Sequence, residues 1–372
     1  GRFILSPARN FPARNPAPST SVVGNWHRWP HPLRSEFGKN TMPDVSVVLP
    51  VFNGARTIAR AVRSVLDQTL REIELIVVDD GSTDETAAVV RDIGDPRLRL
   101  IECKHRGVAV ATNFATELAV APIIARMDAD DFSHPERLQR QLQLLHKQNF
   151  DVVGCQVRIL NELSSISLSM NRYERWINEE TIDGEQISAL RFVEFPLVNP
   201  TILARRRYFE MGFYDGGFPE DYELMLRAAA VGMRFGKVKE ILFDWADHPG
   251  RLTRTDSRYT LDAFMRCRQS HLLAGPLRDV RCVDLWGVGE TGKPWLRWLQ
   301  TQNIAVRCGY DINKRKVNNQ IHGVPISHPT EMPAADGTPL IIAVGAENAR
   351  ALIRPQILSR GYRSGVDAWF VA

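Results

Sequence analysis

The sequence predicts an α/β protein: a mostly parallel sheet flanked by helices, followed by a smaller Rossmann-like α/β unit. Three observations carry this. Short runs rich in β-branched residues, Val45–Val51 (VSVVLPV) and Ile73–Val78, read as strands buried on both faces. Helical patterns alternate with such runs, the signature of parallel strands joined by crossovers. After a break at Pro276 to Asp279, the same alternation begins again.

The elements follow in order. Residues 1–42 are rich in Pro, Arg, Asn and Ser, without an apolar period or the apolar centre of a secretory signal. They are expected to be a disordered or non-native leader, with Met42 as a candidate start. After Val45–Val51, Asn53 and Gly54 turn the chain into a helix with the apolar stripe Ile58, Ala61, Val62, Val65 and Leu66. The second strand runs into Asp79-Asp80-Gly81, and Ser82-Thr83-Asp84-Glu85 has the capping-box pattern for the next helix. Leu98–Cys103 and Pro122–Met127 are further strands, with a helix near Gly107–Ala119 between them. Ser133-His134-Pro135-Glu136 reads as a second capping box, opening a helix to Gln148. Residues 150–215 are less regular. A helix from Asp221 to Val231 is closed by Gly232. Behind the break come strand Arg281–Trp286, a Gly-rich turn, a Trp/Leu helix, and strands Ile304–Tyr310 and Leu340–Val344. The predicted division is therefore a leader at 1–42, a front domain at 43–275 and a rear domain at 279–372.

Bulk properties narrow the function. The 372 residues are 44% apolar and 24% charged, ordinary for globular proteins. The net charge of +4 belongs to residues 1–41, where six basic residues face one acid. The remaining body is near neutral, which argues against a nucleic-acid partner. Five scattered cysteines without a CxxC pair suggest neither a disulfide framework nor a zinc site, and point to the reducing cytoplasm. No apolar run approaches the roughly 18 residues of a spanning helix, so any membrane association is expected to be peripheral, at the inner face.

In open parallel sheets, ligands bind beyond the carboxyl ends of the strands. Three such ends carry notable residues: Pro50-Val51-Phe52-Asn53, Asp79-Asp80, and Asp128-Ala129-Asp130-Asp131. Converging carboxylates repel unless a cation sits among them, and Mg²⁺ or Mn²⁺ prefers such hard oxygen ligands. The plainer alternative is that these acids favour the turns and helix starts that follow. Phe218-Pro219-Glu220-Asp221-Tyr222-Glu223 opens a helix, where an acid is either a dipole contact or a base for an acceptor hydroxyl.

VSVVLPVFNG, IELIVVDDGSTDET, IIARMDADDFSHPERL and FPEDYELMLRAAAVG, in this order, resemble the glycosyltransferase family 2 enzymes with the GT-A fold. The resemblance covers Asp44 to Leu273 and implies inverting transfer from a nucleotide-sugar donor to a saccharide or lipid-linked acceptor. It implies that Pro50, Phe52, Asn53 and Asp79 line the nucleotide pocket. Asp128 and Asp130 match the metal-binding DxD, Asp221 the general base with Glu220 in support, and His248 a residue touching the metal or diphosphate. Arg251 and Arg254 become candidate phosphate contacts beside the alternative of solvated arginines. Three positions depart from the pattern: His105 stands for Asn, Thr112 for Arg and Asn199 for His. These leave donor choice and acceptor orientation open. The QxxRW motif of processive synthases is absent, so single-sugar addition is expected.

In the rear unit, Gly287-Val288-Gly289-Glu290-Thr291-Gly292 follows a strand and opens a helix, and Asp311 ends the next strand. This is a dinucleotide-type fingerprint, a candidate second nucleotide site at Gly287, Gly289, Gly292 and Asp311. The stretch around Tyr310-Asp311-Ile312, Ile321–Ile326 and Ile341–Gly345 resembles the small nucleotide-fold domain preceding sugar O-acyltransferase domains. Packing, homodimerisation or sensing are the other roles open to it, and Trp286, Trp295 and Trp298 read as core. Two further functions stay beside the transferase reading: a sugar nucleotidyltransferase, and a nucleotide-sugar-binding regulatory protein without transferase activity.

Overall fold

The computed structural model describes residues 42–161, 165–214, 216–346 and 348–372; all of the predicted leader but Met42 lies outside them. The front half opens with β1 (Val45–Val51), α1 (Ile58–Leu66), β2 (Ile73–Asp79), α2 (Thr86–Arg91), β3 (Leu98–Glu102), α3 (Val108–Leu118) and β4 (Ile123–Arg126). Every residue of β1 and β2 is buried. Side chains alternate across a strand, so Val45, Val47, Leu49 and Val51 share one apolar cluster with α1, while Val48 shares the other with Ala111 and Ala115 of α3. Helices therefore cover both faces.

The chain continues through β5 (Phe132–Ser133), α4 (Arg137–Lys147), β6 (Val152–Leu160), α5 (Leu168–Arg175), α6 (Gly184–Leu190), β7 (Leu203–Arg205), α7 (Arg206–Phe209), α8 (Glu220–Ala230), β8 (Phe235–Ala246), α9 (Leu252–Thr255) and α10 (Leu261–Ala274). Among the described residues the sheet order is β3-β2-β1-β4-β7-β6-β8-β5, with only β7 and β5 antiparallel to their neighbours. Strand order reverses direction between β1 and β4, which creates a crevice at their carboxyl ends. Pro50 marks it. β1 pairs with β4 only as far as Val48, so the N–H that Pro50 lacks falls beyond the last β4 partner and costs no ladder bond.

Both predicted capping boxes fail, although their helices form. α2 starts at Thr86, after Ser82 has turned its hydroxyl to accept from Asn53 N at 2.8 Å. Ser133 is taken into β5; the first turn of α4 is satisfied instead by Gln68, two residues beyond α1, whose Oε1 accepts from Leu138 N at 3.0 Å.

The rear half comprises β9 (Cys282–Trp286), α11 (Gly292–Thr301), β10 (Ala305–Tyr310), β11 (Gln320–Ile321), β12 (Val324–Ser327), β13 (Leu340–Ile342), α12 (Ala349–Leu358) and β14 (Ala368–Phe370). Its sheet, ordered β11-β12-β10-β9-β13-β14, is parallel except for β11. Trp286 and Trp295 are buried core residues, as expected. The two sheets are joined through α6 and β14. Phe192 meets Trp369 edge-on at 5.7 Å, and the Arg191 guanidinium lies 4.7 Å over the same indole. Met42–Ala372 accordingly forms one packed unit. No helix among the described residues is long and apolar enough to cross a membrane.

Candidate active site

The turns leaving β1, β2 and β4 converge on the crevice. Asn53 sits in the left-handed region at φ 53°, a conformation asparagine tolerates better than most residues. Its Oδ1 accepts from Thr83 N at 2.8 Å, which ties the β1 turn to the β2 turn. A Cβ built on Gly54 would lie 3.5 Å from the Ala129 Cβ, so this turn abuts the centre of the Asp128-Ala129-Asp130 segment. Arg60 of α1 adds a bond from Nη2 to the Asp130 carbonyl at 2.9 Å.

Asp79 accepts from Ser82 N at 2.8 Å, closing the β2 turn. Asp80 does more: its two oxygens accept from Arg106 N and Gly107 N, both at 2.8 Å, and one lies 2.9 Å from His105 Nδ1. That carboxylate fixes the 105–107 loop and brings the His105 ring to 4.1 Å from half-exposed Phe52. His105, noted in the sequence only as a departure, thus belongs to the same rim as Phe52.

Asp128, Asp130 and Asp131 offer oxygens that all lie within 4.8 Å of one another. Buried Arg126 holds Asp128 at 2.6 Å, and His248 Nε2 lies 2.9 Å from Asp130 Oδ2. Asp131 Oδ1 accepts from Ala246 N at 2.8 Å, whereas its buried Oδ2 has no hydrogen-bond partner among the described residues. Burial raises the Asp131 carboxyl well above the usual range, and the charges of Asp130 and Asp128 push it further. Burial also raises Asp128, against the pull of Arg126. An orphaned oxygen within a crowded acidic cluster is the setting a hard divalent cation would relieve, so Mn²⁺ or Mg²⁺ fits these residues.

Glu220 and Asp221 form the first turn of α8 behind Pro219. Glu220 is 3% exposed, and the Tyr259 hydroxyl donates to both its oxygens at 2.6 and 2.7 Å. Burial raises the Glu220 carboxyl, opposed by this bond and by Arg258. Asp221 is pushed up to about 7, first by burial, then by the Glu220 charge, with Asp128 adding to the rise. Asp221 is therefore within electrostatic reach of the triad.

Sequence reasoning missed Tyr259, which packing alone brings onto Glu220, 39 residues earlier. Arg126 stands two residues before Asp128 in the quoted motif, and that spacing was the signal for the pair. Arg251 is largely enclosed, whereas Arg254 stays exposed. Arg251 stacks 4.0 Å over Trp245, and Arg254 pairs with Asp247. In the rear turn, Gly287 has φ 98° and donates to the Tyr310 carbonyl at 2.8 Å. Asp311 accepts from Lys316 Nζ at 2.7 Å, from Asn313 N at 2.9 Å and from Val288 N at 3.3 Å, so it lies against the turn that carries Gly287 and Gly289.

An open α/β sheet with carboxylates gathered at its switch point defines a ligand-binding crevice of the α/β class. Residues 46–213 match glycosyl transferase family 2. Succinoglycan biosynthesis protein ExoO of Rhizobium meliloti (strain 1021) is 30% identical over 273 residues, covering 64% of this chain and 75% of that protein. EpsE of Bacillus subtilis (strain 168), provisionally named a glycosyltransferase, is 27% identical over 299 residues, covering 77% of this chain and 98% of its own. Among solved structures, S. aureus TarS 1–349 in complex with UDP-GlcNAc aligns with a TM-score of 0.48 at 19% identity, over 62% of this chain and 67% of that one. The chain belongs to glycosyltransferase family 2 and is a glycosyltransferase. The nucleotidyltransferase alternative falls with that membership.

Proposed function

We propose that this enzyme is an inverting, metal-dependent glycosyltransferase that moves one sugar at a time from a nucleoside-diphosphate sugar to a hydroxyl acceptor. The setting is assembly of a surface polysaccharide or glycolipid, at the inner face of the membrane. The relative ExoO, named for succinoglycan biosynthesis, supports the polysaccharide setting. The observation that carries the reading is the Asp128, Asp130 and Asp131 cluster, its oxygens within 4.8 Å of one another and one of them buried without a partner among the described residues. The Asp221 carboxyl, pushed up to about 7 by burial and then by the Glu220 charge, is the group suited to take a proton.

In this reading Phe52, Asn53 and Asp79 form the nucleotide side of the crevice, with Pro50 shaping its floor. Asp128 and Asp130, joined by Asp131 and flanked by His248, would hold the cation. Bound there, Mn²⁺ or Mg²⁺ would supply positive charge against the leaving diphosphate. Asp221 takes the proton of the acceptor hydroxyl as its oxygen forms the new bond to the anomeric carbon. The bond to the diphosphate breaks on the opposite side, its electron pair leaves with the phosphate oxygen, and the configuration inverts. Tyr259 holds Glu220 in place beside the base. The rear sheet serves packing, its glycine turn being spanned by Asp311 and Lys316.

Asp221→Asn is the test, with hydrolysis-corrected transfer from UDP-, GDP- and dTDP-sugars as the readout. Loss of a positioned base is expected to lower kcat by about 10²–10⁴ while donor binding, measured by calorimetry with Mn²⁺, is retained. Full activity in this variant would overturn the base assignment.

A further inference from the structure

At the opposite end of the front sheet lies a second charged concavity. Ile123, which opens β4, is in register with Arg205, which closes β7. Arg205 is thus five residues, roughly 16 Å of strand, from Asp128. Here Asn149, Asp151, Arg205, Arg207, Gly232 and Arg234 line a cavity of about 430 Å³. The size is in the range of small-molecule pockets.

Its arginines come from three separate elements: the end of β7, α7 and the approach to β8. Asp151, with its side chain 6% exposed, is the shared anchor. One of its oxygens pairs with Arg207 Nη2 and lies 3.6 Å from Arg205 Nε; the other accepts from the Arg234 backbone N–H at 2.9 Å. Arg205 Nη2 also donates to Asn149 Oδ1 at 3.0 Å. The Arg234 guanidinium lies 5.5 Å over the Phe150 ring and, among the described residues, pairs with no carboxylate. At Gly232 a Cβ would meet nothing within 4 Å, so that wall is open.

A clamp on the strand ends accounts for Asp151 and for part of Arg205. It leaves three guanidiniums against one carboxylate, an excess of two positive charges in a concave, polar-walled space. Like charges gathered this way repel in the free protein, and an anion relieves the repulsion while taking unused N–H donors in bidentate geometry. We infer that the Arg205–Arg207–Arg234 cavity binds a phosphate-bearing small molecule at a site separate from the sugar-transfer crevice. The cavity's concavity favours a small di- or monophosphate over a flat bilayer surface.

Calorimetric titration of inorganic pyrophosphate into the full chain, in EDTA, tests this. Saturable binding is expected, weakened at least about tenfold in Arg207→Ala/Arg234→Ala and unchanged in Asp130→Ala. The double variant leaves the Arg234 backbone bond and the Arg205 contacts in place, and an unchanged Tm checks its fold. Arg207→Lys/Arg234→Lys, which keeps the charge, is expected to bind between the two. Absence of binding, equal binding in the double alanine variant, or loss in Asp130→Ala would each overturn the proposal. So would co-sedimentation with phosphatidylglycerol vesicles by a protein that ignores pyrophosphate; that result would give this face to a bilayer.

Discussion

Glu220 and Asp221 are adjacent in the chain yet meet different surroundings, and the difference governs how the proposed base responds to pH. Glu220 is enclosed and receives the Tyr259 hydroxyl on both oxygens, which favours its charged form. That charge, after burial, is the largest influence raising Asp221 to about 7. A base must be deprotonated to act, so kcat/KM is expected to fall as pH drops below about 7. In Tyr259→Phe, Glu220 loses a bond that stabilises its carboxylate, so it takes up its proton at higher pH. Asp221 then loses a like charge, and its own pKa falls. The acid limb of the pH–rate profile should move to lower pH. An unmoved limb would show that Tyr259 has only a packing role.

At the scale of elements, residue type and residue role part company in the rear glycine turn. Gly287, Gly289 and Gly292 look equivalent in the GxGxxG pattern. A Cβ on Gly292 would lie 1.8 Å from the Gly287 carbonyl oxygen, a rigid backbone atom, so α11 could not hold its place. A Cβ on Gly289 would lie 3.4 Å from Lys316 Nζ, the free end of a long side chain. Gly292→Ala is therefore expected to cost about 1–3 kcal/mol in urea unfolding, whereas Gly289→Ala should stay within about 0.5 kcal/mol. Equal losses would sink the distinction. The caps tell a similar story. The patterns at Ser82 and Ser133 located α2 and α4 to within a few residues, yet Gln68, from the turn after α1 and 70 residues earlier in the chain, satisfies the first turn of α4. No local pattern announces a donor–acceptor pair made across that separation.

For the whole molecule, the contact between α6 and β14 determines whether the sheets unfold together. Trp369 is 5% exposed and lies against Phe192 and Arg191 of the front half. Gly365 comes so close to Ala189 that a Cβ there would sit 3.1 Å from its Cα. Trp369→Ala removes a large buried ring and is expected to cost about 3–5 kcal/mol, within a single cooperative transition. Two separate transitions, with the front one at the wild-type midpoint, would show instead that the sheets are energetically independent.

The α/β class, the succession of β1 to β4 along the chain and the rear alternation were legible in the sequence, because strands covered on both faces are dominated by apolar residues, with Ser46 and Glu74 as buried polar exceptions. The sequence also marked the acids at the strand ends, since turn and helix-start chemistry is local. Strand β8, twelve residues long and interrupted by Lys237, Lys239 and Glu240, has no such continuous apolar run to mark it. Folding decided which acids meet, that Tyr259 holds Glu220, and that one Asp131 oxygen is left without a partner among the described residues. It also placed three arginines around Asp151. The physical reason is range: periodicity and turn preference act over a few residues, whereas burial, charge coupling and hydrogen bonds across the sheet depend on residues the chain brings together only on folding.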